Sequence, residues 1–234
     1  MNLDMKDYKM KAIGVGGCGH SNLSMLYPWL KDNVKYIVMN SDAQDLEKNP
    51  AKKYGTGPSQ ISYMQLGEKI TRGLGSGGLS ELAKNLALAD KERIQALLLN
   101  TDVVFIVAGM GGGMGSGVAP LIASYAKKAG AIVIGIVTMP FSYEGARRLR
   151  NAEAGLHNLK CYADTVVVID NNDLVKQGGK LSEVLRLKLA DYVPEITRVM
   201  LDDVWQTYRK LERMIGTYAY LQEFIDTQRK NGIA

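Results

Sequence analysis

Short apolar runs alternate along this chain with longer segments in which apolar residues recur at helical spacing. The runs predict strands at 11–15, 36–39, 103–107, 132–137 and 165–169. Helices are predicted at 23–30, 80–99, 118–129, 146–159 and 181–193, with Ser80 as the N-cap of the second and a loop-rich stretch before it. This alternation favours an α/β fold: a doubly wound, mostly parallel sheet with ligand sites at the carboxyl ends of its strands.

The pattern changes near residue 193. Pro194 should interrupt a helix, and from 201 to 225 apolar residues recur at intervals of three and four, with heptad character. We therefore expect two parts: an α/β domain at 1–193 and an amphipathic helical extension at 194–234. The extension could cover the surface of the domain itself, or it could bind a protein partner or a second copy. Its interleaved acids argue against contact with a membrane.

Composition narrows the class of protein. Of the 234 residues, 46% are hydrophobic and 23% are charged, and no apolar stretch is long enough to cross a bilayer. The first ten residues carry acids and lack an apolar core, so a cytoplasmic protein is expected. Cys18 and Cys161 form neither a disulfide framework nor a metal-ligand spacing. The net charge of +5 is spread along the chain, so no nucleic-acid partner is expected.

Glycines cluster where predicted strands end. The clusters are GVGGCG at 14–19, GLGSGG at 73–78 and GGGMGSG at 111–117. Without Cβ atoms, such loops can adopt positive φ and bring backbone N–H groups close to an anion at the positive end of the next helix. The pattern predicts phosphate-binding loops.

The number of these loops separates two kinds of nucleotide site. GVGGCG satisfies G-x-G-x-x-G, and Asp42 follows Gly19 by 23 residues, which alone would suit an NAD-dependent Rossmann oxidoreductase. Such an enzyme has no use for the two further glycine loops, which suit a nucleoside triphosphate better. The Walker pattern G-x-x-x-x-G-K-[ST] is absent from the sequence, which excludes an ordinary P-loop NTPase.

Five motifs together resemble the tubulin/FtsZ superfamily, and most closely its FtsZ branch. In family order they are GVGGCG, NSDAQDL, GEKITRGLGSGG, AGMGGGMGSGVAP and TMPFSYEGARR, covering roughly residues 10–193. The resemblance implies a GTPase-type domain that binds GTP or GDP, with Mg²⁺ accompanying GTP. It also implies a cytoskeletal protein that assembles into homo-oligomers or filaments.

The resemblance assigns phosphate contacts to the three glycine loops. Gly16, Gly17 and Cys18 approach the α- and β-phosphates, and Asp42 lies near the phosphates and the metal. The remaining assignments are Gly75, Ser76, Gly77 and Gly78 facing the γ-phosphate, and Gly111, Gly112, Gly113, Met114, Gly115, Ser116 and Gly117 wrapping the phosphate chain.

Sugar and base contacts carry over in the same way. Pro140 belongs to the site, and Glu144, four residues later, would accept ribose hydroxyls beside Arg148. Asn171 would lie near the sugar and the base. Asp191 would contact guanine, whose N1–H and exocyclic amine can both donate to one carboxylate. At the start of the first helix, His20-Ser21-Asn22 replaces the usual G-G-N of the family. The base-contacting asparagine is therefore shifted by one position or lost, with Ser21 and Asn22 as its candidates.

Two departures bear on catalysis. Met114 stands where the family usually has threonine, which removes a hydroxyl near the phosphates. No N-x-D-x-x-D occurs, the loop whose acids polarise the attacking water on the nucleotide of the next subunit, so no catalytic residue is assigned. We expect an FtsZ-like protein with nucleotide-dependent self-association and slow or partner-dependent hydrolysis. The alternative is a fully polymerising GTPase of cell division or membrane remodelling, with acids from the extension or another subunit; the Rossmann oxidoreductase is more remote.

Overall fold

Strands and helices alternate through the described part of the chain. The computed structural model describes residues 9–26, 34–47 and 61–176. The strands are β1 Met10–Val15, β2 Val34–Asn40, β3 Ile61–Gln65, β4 Val103–Gly109, β5 Ile132–Met139 and β6 Thr165–Asp170. The helices are α1 Gly16–Leu26, α2 Ala43–Glu47, α3 Glu68–Thr71, α4 Ser80–Ala89, α5 Lys91–Leu98, α6 Gly113–Lys128, α7 Ala146–Lys160 and α8 Asn171–Lys176, with a 3-10 helix at Ser142–Glu144.

The described strands form one parallel sheet in the order β3-β2-β1-β4-β5-β6. β4 lies inside it, and every residue of β4 except Gly109 is buried, as its run of apolar residues predicts. Because all the strands run in one direction, their carboxyl ends meet at a single edge. The loops that follow β1, β2, β4, β5 and β6 are therefore brought together there.

Helices cover both faces of the sheet. On one face, alternate residues such as Ile13 and Val15 join a core with apolar side chains from α4, α5, α6 and α7. On the other, α1 lies so close that a Cβ atom on Gly14 would stand 2.7 Å from the carbonyl oxygen of Gly19. The predicted doubly wound α/β architecture is confirmed.

Several predicted boundaries are wrong. The stretch expected to be loop contains β3, and the single helix expected at 80–99 is two helices separated at Asp90. The carboxylate of Asp90 accepts the N–H of Gly67 at 2.7 Å and pairs with Arg93, which holds the chain in a turn there. Ser80 is the first residue of α4 and not its cap, since Leu79 occupies the N-cap position.

The helix after the third glycine loop also differs from its prediction. It begins at Gly113, five residues before the expected start at Val118, so the glycines form its first turn. Twelve of its 16 residues are buried, so α6 is a central helix of the domain. α1 likewise begins within its glycine motif, at Gly16.

The predicted extension lies outside the described residues. Chain contacts divide the protein into two units, Met1–Tyr192 and Val193–Ala234, and every described residue belongs to the first. The helices expected at 181–193 and 201–225, and the domain boundary at 193, stay predictions. Within the described ranges, no helix combines the length and apolarity needed to cross a bilayer.

Candidate functional site

A cavity of about 410 Å³ opens at the carboxyl edge of the sheet, where the glycine loops converge. It is walled by the ends of β1, β2, β4 and β5, by the loop before α4 and by the first residue of α8. The predicted site residues that line it are Gly16, Gly17, Cys18, Asp42, Gly75, Ser76, Gly77, Gly78, Gly112, Gly113, Met114, Gly115, Pro140, Glu144, Arg148 and Asn171. Residues from distant parts of the sequence are thus brought to one place, while their individual roles stay predictions.

The other predicted residues do not line the cavity. Gly111, Ser116 and Gly117 lie behind its wall, and Asp191 falls outside the described residues. Ser21 is exposed on α1, away from the cavity. Asn22 is buried, and its Nδ2 atom donates to Sγ of Cys18 at 3.3 Å, so the side chain supports the first loop from inside the protein.

Backbone N–H groups supply the positive potential at this cavity. α1 begins at Gly16 and α6 at Gly113, and both first turns lie on the wall. The N–H groups of a helix's first turn lack intrahelical acceptors and carry the positive end of the helix dipole. In the described part of the chain, Arg148 is the one cationic side chain on the wall. The arrangement suits an anion held by backbone donors.

Asp42 joins two of the loops. Its Oδ1 atom accepts the backbone N–H groups of Gln44 at 2.9 Å and Asp45 at 3.3 Å, in the first turn of α2. Asp42 also forms an isolated antiparallel bridge with Leu74. A Cβ atom on Gly75, whose φ is +75°, would lie 3.3 Å from the Cβ of Asp42. The loop after β2 and the glycine loop before α4 are therefore packed against each other.

Four polar residues of the wall were missed by the sequence reasoning. Asn40, Ser41 and Asp45 surround Asp42 in the NSDAQDL motif, so the motif was identified but only one of its residues was singled out. Asn40 donates to Oδ2 of Asp45 at 3.4 Å, and Ser41 donates to Sδ of Met114 at 3.3 Å. The second bond ties the end of β2 to α6.

Thr138 at the end of β5 was also missed; its Oγ1 atom lies 3.5 Å from Sγ of Cys18.

The carboxylates of Asp42 and Asp45 fit a metal that arrives with phosphate. No group of three or more potential metal-ligating side chains occurs among the described residues. Mg²⁺ is usually held by one or two carboxylates together with phosphate oxygens and water, and does not need a complete protein cage. The two acids on the wall match that partial ligand set.

The turn after β5 is ordered by Glu144. The Oε1 atom of Glu144 accepts the N–H of Phe141 at 2.7 Å, which closes the 3-10 helix. The rings of Phe141 and Tyr143 stack with their centroids 5.0 Å apart. These contacts place Glu144 on the wall beside Pro140.

His20 lies beneath the site and not in it. Its side chain is 4% exposed, its Nδ1 atom lies 3.1 Å from the carbonyl oxygen of Asp45, and its ring meets Tyr63 edge-on at 5.8 Å. Burial lowers the pKa of His20, although the hydrogen bond to Asp45 acts in the opposite direction. The residue that replaces a family glycine therefore packs α1 against α2 and β3.

Comparisons with known proteins agree with this arrangement. The profile described as "Tubulin/FtsZ family, GTPase domain" matches residues 9–179. "Cell division protein FtsZ 1" of Thermococcus kodakarensis is 39% identical over 191 residues, which cover 82% of this chain and 49% of that protein. The chain thus spans about half the length of this curated relative.

Solved structures give the same result. An empty FtsZ dimer from M. jannaschii superposes with a TM-score of 0.67 at 32% identity, over 86% of this chain and 57% of that one. A GTPγS-bound protofilament of CetZ2 from Haloferax volcanii gives a TM-score of 0.65 at 25% identity, over 84% and 61%. With the fold, the converging glycine loops and these matches in agreement, the chain belongs to the tubulin/FtsZ family and carries that family's GTPase domain.

Proposed function

We propose that this protein binds GTP and GDP in the cavity at the carboxyl edge of its sheet. The observation that carries the proposal is the meeting of two helix N-termini, at Gly16 and Gly113, with the glycine loop 75–78 around one space. Their backbone donors can hold a chain of phosphates with few cationic side chains. Asn171 on the same wall and Asp191 in the sequence are the proposed neighbours of the sugar and guanine.

A bound Mg²⁺ would supply neutralisation of phosphate charge. Asp42 and Asp45 are the residues that would hold it, because both carboxylates lie on the wall of the cavity. The hydrogen bonds that Asp42 accepts from the N–H groups of Gln44 and Asp45 both end on its Oδ1 atom.

We further propose slow or partner-dependent hydrolysis. The three acidic side chains on the described wall have other roles: Asp42 accepts the N–H of Gln44, Asp45 accepts from Asn40, and Glu144 accepts the N–H of Phe141. Asp42 and Asp45 are also the proposed holders of Mg²⁺, so we assign none of the three as the general base for the attacking water. No N-x-D-x-x-D occurs among these 234 residues, and we propose that a second subunit or another protein supplies the acid.

Nucleotide-dependent self-association completes the proposal. Leu74 is 85% exposed and Tyr143 is 79% exposed, and they belong to two different loops at the cavity. A second subunit over the mouth would bury both side chains, which favours assembly. The relatives include one solved as a dimer and one solved as a protofilament. The second candidate, a fully polymerising GTPase, gains support from the relative whose name refers to cell division.

Calorimetric titration with GTP, GDP, ATP and NAD tests the ligand. GTP and GDP should bind at least about tenfold more tightly than ATP or NAD, a difference of about 1.4 kcal/mol. Equal affinity for ATP would reject guanine specificity, and preferential binding of NAD would support the oxidoreductase.

Phosphate release, measured with light scattering over a series of protein concentrations, tests turnover and assembly. Slow release with GTP-dependent scattering is expected. Rapid release that rises steeply with concentration would favour the fully polymerising GTPase, and the absence of scattering with GTP at high concentration would argue against self-association.

A further inference from the structure

Both backbone polar groups of Gly111 are bonded to side chains. Its N–H donates to Oγ of Ser116 at 2.8 Å, and its carbonyl oxygen accepts from Nδ2 of Asn151 at 3.2 Å. Gly111 is buried with φ at +95°, and it directly precedes the cavity-lining residues 112–115. The two side chains therefore fix the peptide that leads into the third glycine loop.

The orientation of the Asn151 amide follows from its partners. A carbonyl oxygen can only accept, so the NH₂ group of Asn151 must face Gly111. Its Oδ1 atom is then turned toward Ser80, whose hydroxyl donates to it at 2.8 Å. The result is a directed chain of hydrogen bonds from Ser80 through Asn151 to Gly111.

This chain of bonds connects the two glycine loops at the cavity. Ser80 begins α4, directly after the loop 75–79. That loop and α6 are already in close contact, since a Cβ atom on Gly113 would lie 2.2 Å from Oγ of Ser76, and one on Gly117 would lie 2.2 Å from the carbonyl oxygen of Ser80. Asn151, on α7, is bonded to both loop regions at once.

Asn151 does not reach the cavity itself. Together with Ser80 and Ser116 it lines a separate cleft of about 300 Å³ between α4, α6 and α7. Any effect of Asn151 on a ligand must therefore pass through the positions of the loops.

We propose that Asn151 is a positioning residue that holds the glycine loops 75–78 and 111–115 in one fixed arrangement for phosphate binding. The identity of the ligand rests on the proposed function above. A ligand with more phosphates accepts hydrogen bonds from backbone N–H groups of both loops, so its affinity depends more strongly on the relative position of the loops. A nucleoside without phosphate makes no such demand.

Three substitutions separate the two bonds of Asn151. Asn151→Ala removes both. Asn151→Asp keeps the size and can still accept from Ser80, but a carboxylate cannot donate to the Gly111 carbonyl. Ser80→Ala removes only the bond between Ser80 and Asn151. Asn158→Ala is the matched control, because Asn158 is exposed on the same helix and lines the same cleft.

The first measurement is the affinity of the full chain for guanosine, GMP, GDP and GTP, with Mg²⁺, by calorimetry. Asn151→Ala and Asn151→Asp should weaken GTP binding about fivefold to tenfold, the effect of losing the hydrogen bond to the Gly111 carbonyl that both variants lack, and leave guanosine within about twofold. Asn158→Ala should match the unmodified protein. Equal losses for all four ligands, or normal GTP affinity in Asn151→Asp, would overturn the proposal.

The second measurement needs no ligand. Backbone amide hydrogen exchange of the nucleotide-free protein should become faster at 111–117 in Asn151→Ala and stay unchanged in β1 and β5. Uniformly faster exchange would indicate general destabilisation and reject a positioning role. If the unmodified protein binds no guanine nucleotide, the proposed function fails, while the exchange result still decides whether Asn151 fixes the loop.

Discussion

The Nε atom of Arg148 lies 2.9 Å from Oε2 of Glu144 at the rim of the cavity. The Arg148 side chain is 52% exposed, so this pair contributes little to folding stability. Its structural effect is to orient the carboxylate, whose other oxygen, Oε1, is bonded to the N–H of Phe141. Glu144 is thus held in a defined direction before any ligand arrives.

Glu144→Ala tests the proposed ribose contact. We expect GDP affinity to fall by about fivefold to tenfold, as for loss of one or two hydrogen bonds, with a smaller change for 2′,3′-dideoxy-GDP. Calorimetry measures both. Glu144→Gln, which retains an acceptor for Phe141, separates ribose binding from support of the turn. Equal losses for the two nucleotides would show that Glu144 acts only on the turn.

Gly111→Ala should lower folding stability, whereas Gly112→Ala should lower nucleotide affinity. A Cβ atom on Gly111, where φ is +95°, would stand 2.8 Å from Cγ of Arg148 and 3.0 Å from its carbonyl oxygen, so we expect a loss of at least about 1–2 kcal/mol of stability. Gly112 has φ at −83° and open space where its Cβ would be. The Gly112→Ala protein should be as stable as the unmodified protein but bind GTP more weakly, because the added methyl group enters the cavity. Urea denaturation and calorimetry distinguish the two results.

Gly115 belongs to the loop that the resemblance assigns to the phosphate chain, yet the lack of a side chain is required there by packing inside the protein. A Cβ atom there would lie 2.0 Å from the carbonyl oxygen of Gly109, inside the protein. Gly115→Val should therefore fail to fold stably, as circular dichroism would show; a stable Gly115→Val protein would contradict this packing.

Asp42→Asn separates charge from loop structure. An asparagine keeps an oxygen for the N–H groups of Gln44 and Asp45, so the thermal midpoint should change little. Loss of the carboxylate should weaken the dependence of GTP binding on Mg²⁺. Asp42→Ala should in addition lose about 1 kcal/mol of stability. An unchanged magnesium dependence in Asp42→Asn would remove this residue from the metal site.

The burial of His20 predicts that folding stability is lower in mild acid. Its pKa in the folded protein is lowered from 6.5 by burial, so the unfolded chain binds the proton more tightly. Folding stability should therefore fall as the pH drops below about 6.5. His20→Phe should flatten this dependence between about pH 7.5 and about pH 5 in urea titrations, while His157→Phe, at an exposed position on α7, should not. Equal pH slopes for the unmodified protein and His20→Phe would reject this explanation.

The interior of the fold was predictable because its signals are strong. β4 is a continuous run of buried β-branched and apolar residues bounded by glycine, and such a run has few alternatives. β3 was not predictable in the same way. It is an edge strand of sequence ISYMQ, in which Ser62 and Tyr63 are exposed, so neither an apolar run nor a regular alternation marks it.

The candidate site was predictable as a set of loops but not as a set of contacts. Glycine motifs and the order of the strands were enough to place the loops at one edge. The structure explains several glycines differently. Gly113, Gly115 and Gly117, all in α6, are required because neighbouring segments approach that helix closely, and not because of positive φ. Contacts such as that of Ser41 with Met114 join residues far apart in sequence, and no local pattern encodes them.

The wall of the cavity has a thermodynamic consequence. It is assembled from residues as distant in sequence as Val15 and Asn171, contributed by the ends of four strands, the loop before α4 and the first residue of α8. A molecule bound there acts as a noncovalent cross-link, because its contacts exist only when all these segments are in place. Each tenfold increase in its concentration above the dissociation constant then adds about 1.4 kcal/mol to the free energy of unfolding. The fraction of protein with ligand bound would therefore determine how often the domain opens into partly unfolded states, independently of any reaction that the ligand undergoes.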